Sequence, residues 1–150
     1  MALKGKMETE IEIKAAADKY YSIFKTSAHQ VPTATPDIIQ GVKVHEGDWK
    51  THGSIKVWNY TVEGNAEVFK EKVELDDANR AATLVGIEGD PMKYYKIFKA
   101  TYQAIPKGNG SLAKLTIVYE KLREDMPPPI KYLNMMVSLT KDIDAHLAKA

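Results

Sequence analysis

The final segment of the chain constrains everything before it. Pro127-Pro-Pro129 closes the preceding pattern and opens a helix, because proline lacks an N–H and is tolerated in a first helical turn. From there Ile130, Leu133, Met136, Val137, Thr140, Ile143 and Leu147 fall on one stripe at helical spacing. Lys131, Asn134, Ser138, Lys141, Asp142 and Lys149 fall opposite. About 19 residues at ~1.5 Å each make a rod of roughly 28 Å. Such a rod can cross a curved sheet from end to end, and its apolar stripe has to be covered.

The cover is written between Ile38 and Lys121. Strand patterns Ile38–His45, Ser54–Val62, Ala66–Leu75, Arg80–Glu88, Tyr94–Ile105 and Ser111–Lys121 alternate with turn chemistry. Glu63-Gly-Asn65 reads as a tight hairpin, and Asp76-Asp-Ala-Asn79 and Pro106-Lys-Gly-Asn-Gly110 read as further turns. Gly89-Asp-Pro91 breaks the pattern between two strands. Short connections between successive strands imply an antiparallel meander, since parallel pairs need long crossovers. Ahead of it, Met7–Ile13 alternates cleanly, with Glu8, Glu10 and Glu12 on one face. A helix over Ala15–Lys25 follows. Pro32 and Pro36 then allow only short helical pieces, one of them around Ser27–Val31.

One sheet wrapped around the terminal helix buries every apolar stripe at once. The expected class is therefore α+β: a seven-stranded curved antiparallel sheet around a long C-terminal helix, with two short helices after the first strand. Seven strands offer more inner surface than one helix covers. Ala82, Gly86, Ala100, Ala104 and Ala113, in phase with the inner face, leave the gap open as a pocket. At 150 residues the chain is read as one domain, 1–150, able to bury roughly 70% of its unfolded surface.

The loop Glu46-Gly-Asp-Trp-Lys-Thr-His-Gly53 runs straight into a strand on which Lys56, Trp58 and Tyr60 share a face opposite Ile55, Val57 and Asn59. If that face looks inward, a cation and two polar-edged aromatic rings suit a mostly apolar guest with one or two polar handles. A register shifted by one residue would instead leave Lys56 in solvent. The loop is not a phosphate-binding one, because it leads into a strand and not into a helix N-terminus.

This stretch resembles the glycine-containing loop of the major latex protein-like family, a plant branch of the birch-pollen-allergen (START-like, helix-grip) superfamily. The resemblance extends to Ile87-Glu-Gly-Asp-Pro-Met-Lys93, Tyr119-Glu-Lys-Leu-Arg-Glu-Asp125 and Leu139-Thr-Lys-Asp-Ile-Asp-Ala-His-Leu147, in the family's order. It implies the helix-grip fold, an internal hydrophobic cavity, and binding of a lipid, sterol, hormone or other plant metabolite in defence or stress response. The better-known branch carries more glycines in the loop. Here Trp49, Lys50, Thr51 and His52 lie between Gly47 and Gly53, so that branch's ligands transfer poorly.

The candidate ligand-binding set is Lys56, Trp58, Tyr60, Leu84, Phe98, Tyr102, Leu115, Ile117 and Tyr119 on strands, with Leu133, Met136, Val137 and Thr140 on the helix. His29 stands at the expected cavity mouth. Plain core packing is the alternative for the apolar members. Buried tyrosines need hydrogen-bond partners that a guest or a water supplies. With no cysteine and no spaced histidine cluster, neither a disulfide nor a metal site nor a cofactor is expected. No nucleophile elbow or spaced acid–base pair assigns a catalytic residue.

Twenty-one basic and 20 acidic side chains give a net charge of +1, so no nucleic-acid or membrane-surface footprint is expected. Hydrophobic residues at 44% and charged residues at 27% describe an ordinary globular chain without stable membrane insertion. The N-terminus lacks a secretory apolar run and the C-terminus a targeting tag, so the cytoplasm is the expected compartment. The leading expectation is a non-enzymatic carrier or buffer, monomeric or weakly dimeric. The alternatives are a cavity enzyme performing condensation or isomerisation with Lys56 as base or imine former, and a protein-interaction or stress-signalling component, monomeric or dimeric, whose pocket is regulatory.

Overall fold

A computed structural model describes residues 3–149. The elements run β1 Lys4–Ile13, α1 Ala17–Lys25, α2 Val31–Ala34, β2 Ile39–Glu46, β3 Ile55–Val62, β4 Asn65–Asp76, β5 Ala81–Gly89, β6 Tyr95–Lys107, β7 Gly110–Lys121 and α3 Ile130–Ala148. Single 3-10 turns occupy Ala28–Gln30 and Asp90–Lys93. The seven strands form one antiparallel sheet in the order β1-β7-β6-β5-β4-β3-β2. The first two strands therefore lie on opposite edges, and α1 and α2 carry the chain between them.

Local chemistry explains the connections. Glu63 and Gly64 both adopt positive φ, at 50° and 80°, as a two-residue hairpin turn with the sheet's own twist requires. Register shifts between Lys70 and Glu71 and between Tyr95 and Ile97 insert bulges that bend the sheet. Pairing of β5 with β6 ends at Val85–Lys99, so the last turn of β5 diverges into the 3-10 turn. Met92 fills the space beside Gly86: a Cβ on that glycine would sit 2.7 Å from the methionine sulfur.

The concave face grips α3, whose 19 residues bury Tyr132, Leu133, Met136, Leu139, Thr140 and Ile143. The stripe is rotated from the one expected. Ile130 is 49% exposed, and Tyr132 and Leu139 take the buried places. Helix α1 lies against β5, β6 and β7, stacking Phe24 on Tyr102 with ring centroids 4.3 Å apart. Of the small inner residues Ala82, Ala100, Ala104 and Ala113, only Ala100 borders open space; the others are covered within the core. Asp144 ties the end of α3 to the start of the α1 segment by accepting from the backbone N–H groups of Lys14 and Ala15.

Candidate functional site

Alternation along β3 turns Lys56, Trp58 and Tyr60 inward, at 2%, 6% and 3% exposure. Along β4 it turns Glu67, Phe69, Glu71 and Val73 inward. The antiparallel register sets these residues opposite one another in three rows: Tyr60 with Glu67, Trp58 with Phe69, and Lys56 with Glu71. Cross-strand partners stand about 5 Å apart at Cβ, so each row acts as a unit. The inner wall is thus an aromatic band flanked on either side by a buried carboxyl group.

The band faces a cavity. Trp58, Tyr60 and Phe69 line it from β3 and β4, Leu84, Phe98, Ala100 and Tyr102 from β5 and β6. Helix α3 contributes Tyr132, Met135, Met136 and Leu139; Phe24, Val31, Ile39 and Pro91 complete the lining. The empty space totals about 580 Å³, including the part open to solvent. The cavity proper comes to only about 50 Å³. The slot is narrow, and its lining is almost wholly hydrocarbon and ring surface. Met135 and Met136 hang into it from α3, and unbranched thioether side chains of this kind repack readily around a guest.

The two flanking carboxyl groups differ in how they are satisfied. Glu67 Oε1 accepts from the hydroxyls of Tyr60, at 2.9 Å, and Tyr132, at 2.7 Å. Lys131 Nζ stands 3.6 Å from Glu67 Oε2. Burial, together with the neighbouring carboxylate, pushes both phenols well above the ordinary tyrosine range, so they remain neutral donors. This clasp joins β3, β4 and the first turn of α3. Glu71 is 0% exposed and accepts only from the Trp58 indole N–H, at 2.9 Å to Oε1. Its Oε2 is buried with no hydrogen-bond partner among the described residues. Burial raises the Glu71 carboxyl to about 7, against the opposing pull of the Trp58 bond and the Lys56 charge.

Of the residues named from sequence, Trp58, Tyr60, Leu84, Phe98, Tyr102 and Met136 meet at the cavity. Lys56 lies on the same face one row beyond its lining. Leu115 and Ile117 are fully buried on β7 but do not line the cavity. Tyr119 stands beside Gly5 of β1 and packs edge-on to Tyr95. Leu133 and Val137 face a groove against β1, because the rotation of α3 aims them away from β3. Thr140 shares a 2.8 Å hydrogen bond with Tyr20. His29 is exposed, its ring 5.3 Å from Trp49 of the glycine loop.

Sequence reading missed Phe69, Glu67 and Glu71 on β4, and Tyr132, Met135 and Leu139 on α3. The period-two alternation of β4 carried the signal for the first three; only the pairing register shows which phase is inside. Among the described residues, no group of three or more His, Asp or Glu side chains is placed to hold a metal ion. No described helix is long and apolar enough to cross a membrane.

Comparison with known proteins agrees with this fold. Residues 2–150 match the family model described as the pathogenesis-related protein Bet v 1 family. The chain is 42% identical over 151 residues to MLP-like protein 328 of Arabidopsis thaliana, with all of both chains covered. It is 40% identical over 147 residues to major latex protein 146 of Papaver somniferum, covering 97% of this chain and 92% of that one. The crystal structure of ginseng major latex-like protein 151 from Panax ginseng superposes with a TM-score of 0.93 at 36% identity, covering 97% and 98% of the two chains.

Proposed function

The chain belongs to the pathogenesis-related Bet v 1 family, among the major latex proteins, and from that premise we propose that it is a carrier or buffer for a small hydrophobic molecule. The observation that carries the reading is the apolar slot between the sheet and α3. A guest there exchanges water for ring and hydrocarbon surface, worth about 25 cal/mol per Å² of apolar area removed from water. The narrowness of the slot makes binding depend on movement of Met135 and Met136 away from the wall. A role as an intracellular carrier in plant defence or stress response is consistent with the family's pathogenesis-related description.

The chemistry of the lining favours holding over turnover. Tyr60 and Tyr132 spend their hydroxyls on Glu67, and burial strengthens their grip on the proton. Neither is suited to donate it near neutral pH.

A neutral fluorescent probe such as N-phenyl-1-naphthylamine tests the proposal. Saturable binding at about one probe per chain is expected. Ala100→Leu, which pushes a larger side chain into the slot, is expected to weaken it at least tenfold while the fold is retained. Absence of saturable binding by this probe and by a panel of lipids, sterols and flavonoids overturns the carrier reading.

A further inference from the structure

The side of the sheet turned away from α3 carries a charge pattern that the net charge of +1 conceals. Pairing register lines up Ile55, Lys72, Val85, Lys99, Val118 and Lys6 in one row across β3, β4, β5, β6, β7 and β1. Cations and branched aliphatic side chains alternate along it. The neighbouring row repeats the mixture, with Lys43, Val57 and Lys70 towards one edge and Ile97 and Lys4 towards the other. Ile87 stands between them, at the bulge of β5. Val118, Ile87 and Ile97 are 42%, 40% and 37% exposed, so hydrocarbon is bared together with the ammonium groups. Lys4, Lys43, Lys70, Lys72 and Lys99 enter no ion pair among the described residues. Lys6 is engaged by Glu8 at 3.5 Å, and Glu120, beside Lys4, by Lys96 at 3.8 Å. Glu46 beyond Ile55 and Glu88 opposite Lys70 are the acids without an ion pair there. The next row along the strands is different: Glu74, Thr83, Thr101, Thr116 and Glu8 hold no lysine and no wholly aliphatic side chain. The pattern is confined to one part of the outer face.

We infer that this lysine–aliphatic band docks the protein on the surface of an anionic lipid bilayer. The inference goes beyond the carrier reading and does not rest on it, because the slot lies on the opposite face of the sheet. Lysines two positions apart on one strand stand roughly 7 Å apart, and those two strands apart roughly 10 Å. Their ammonium heads reach lipid phosphate and carboxylate groups, while the lysine stems and the Val and Ile side chains meet the head-group boundary. An anionic membrane is the partner that favours both kinds of side chain in one plane. A nucleic acid is disfavoured, since the two rows hold no arginine to fork onto phosphate and no aromatic ring for base stacking. An acidic peptide is disfavoured because the face is convex and its central strands are already paired on both sides. A sum of charges over the whole chain predicts no membrane-surface footprint, yet much of the compensating acid lies off the band. Glu10 and Glu12 stand further along β1, and Asp76 and Asp77 at the β4–β5 turn.

Vesicle co-sedimentation of the full chain decides the matter, with vesicles of phosphatidylcholine alone and of phosphatidylcholine containing one-third phosphatidylserine. At about 20 mM salt the wild type is expected to bind the anionic vesicles at least tenfold tighter than the neutral ones. Raising the salt to about 300 mM is expected to remove most of that difference by screening. Each ammonium near such a surface brings roughly a fivefold gain in partitioning. The pair Lys72→Glu with Lys99→Glu is therefore expected to weaken binding at least tenfold. The pair Lys141→Glu with Lys149→Glu makes the same change in net charge at α3 and its C-terminal end, away from the band, and is expected to weaken it less than threefold. Ile97→Ser is expected to weaken binding about threefold at either salt concentration. The wild-type vesicle ranking needs no variant, so it stands as a test even if a substitution impairs folding. Binding to neither vesicle, equal binding to both, or equal losses in the two lysine pairs overturns the inference. Wild-type binding by Ile97→Ser overturns the lipid contact. Binding of a duplex oligonucleotide as tight as that of the anionic vesicles, lost in the Lys72 and Lys99 pair, overturns it in favour of a nucleic acid. None of these outcomes bears on dye binding in the slot.

Discussion

At the scale of single residues, the inner face of β4 is set apart by how its two buried carboxyl groups, which flank the cavity lining, are matched. Glu67 has two hydroxyl donors and a nearby ammonium, whereas Glu71 has one indole donor and an orphaned oxygen. The difference is open to a stability measurement. The folded Glu71 carboxyl sits at about 7, above the ordinary 4.5, so the folded chain binds its proton more readily than the unfolded chain does. Its contribution to stability is therefore fullest below pH 4.5 and declines as pH rises towards 7. Glu71→Gln removes that decline. Urea unfolding across pH 4–8 is expected to show the variant gaining on the wild type by on the order of 3 kcal/mol over this range. Parallel curves for the two proteins would show that the carboxyl titrates normally. Thr140 offers a second case. Tyr20→Phe leaves its hydroxyl buried without the 2.8 Å partner, and a loss of about 1–2 kcal/mol is expected in the same assay.

At the scale of elements, the glycines separate turns that tolerate a side chain from those that do not. Gly89 ends β5 with φ at 114°, and a Cβ there would collide with the backbone carbonyl of Val68. Gly64, in the β3–β4 hairpin, also has positive φ, but a Cβ there meets nothing within 4 Å. Gly64→Ala is expected to cost about 1 kcal/mol, the strain of the left-handed conformation alone. Gly89→Ala is expected to cost about 3 kcal/mol or more, because backbone must also move. Equal losses in thermal unfolding would mean that β5 is free to shift there. The glycine loop is held differently. Asp48 accepts from the N–H groups of Lys50 and Thr51, both at 2.8 Å, which keeps its carboxyl below the usual aspartate range. Trp49 is then presented to His29 across the way from β3.

At the scale of the whole molecule, the sheet cannot close fully on one helix. What remains is an apolar slot backed by fixed strands on one side and by movable methionines on the other. A ligand that binds only the folded chain stabilises it in proportion to occupancy. At a free concentration one hundred times its Kd the gain is about 2.7 kcal/mol. For a chain of this size that corresponds to a rise in Tm of roughly 5–10 °C. Differential scanning fluorimetry with decanol is expected to show this rise in the wild type and to lose most of it in Ala100→Leu. A rise of the same size in both proteins would place the binding site elsewhere.

Much of this was legible in the chain as written. Alternation placed Lys56, Trp58 and Tyr60 on one face, and turn residues marked six of the seven strands to within one or two positions. Those are local properties: side chains alternate with a period of two whatever the strand pairs with, and proline or glycine acts on its own dihedral angles. The seventh, β1, begins three residues before the expected start, at Lys4, because β7 is there to pair with it. The helix stripe was legible in outline but not in rotation, since buried Tyr132 finds its hydroxyl partner in Glu67, 65 positions earlier, and its ring contact in Phe98.

The sequence by itself thus determined the kinds of element, their order and the faces of their strands. The tertiary structure alone decided which charges share the interior, which alanines border empty space, and which buried carboxyl group is left half satisfied. Burial and hydrogen-bond satisfaction depend on partners far apart in the chain, and no local pattern encodes whether such a partner arrives.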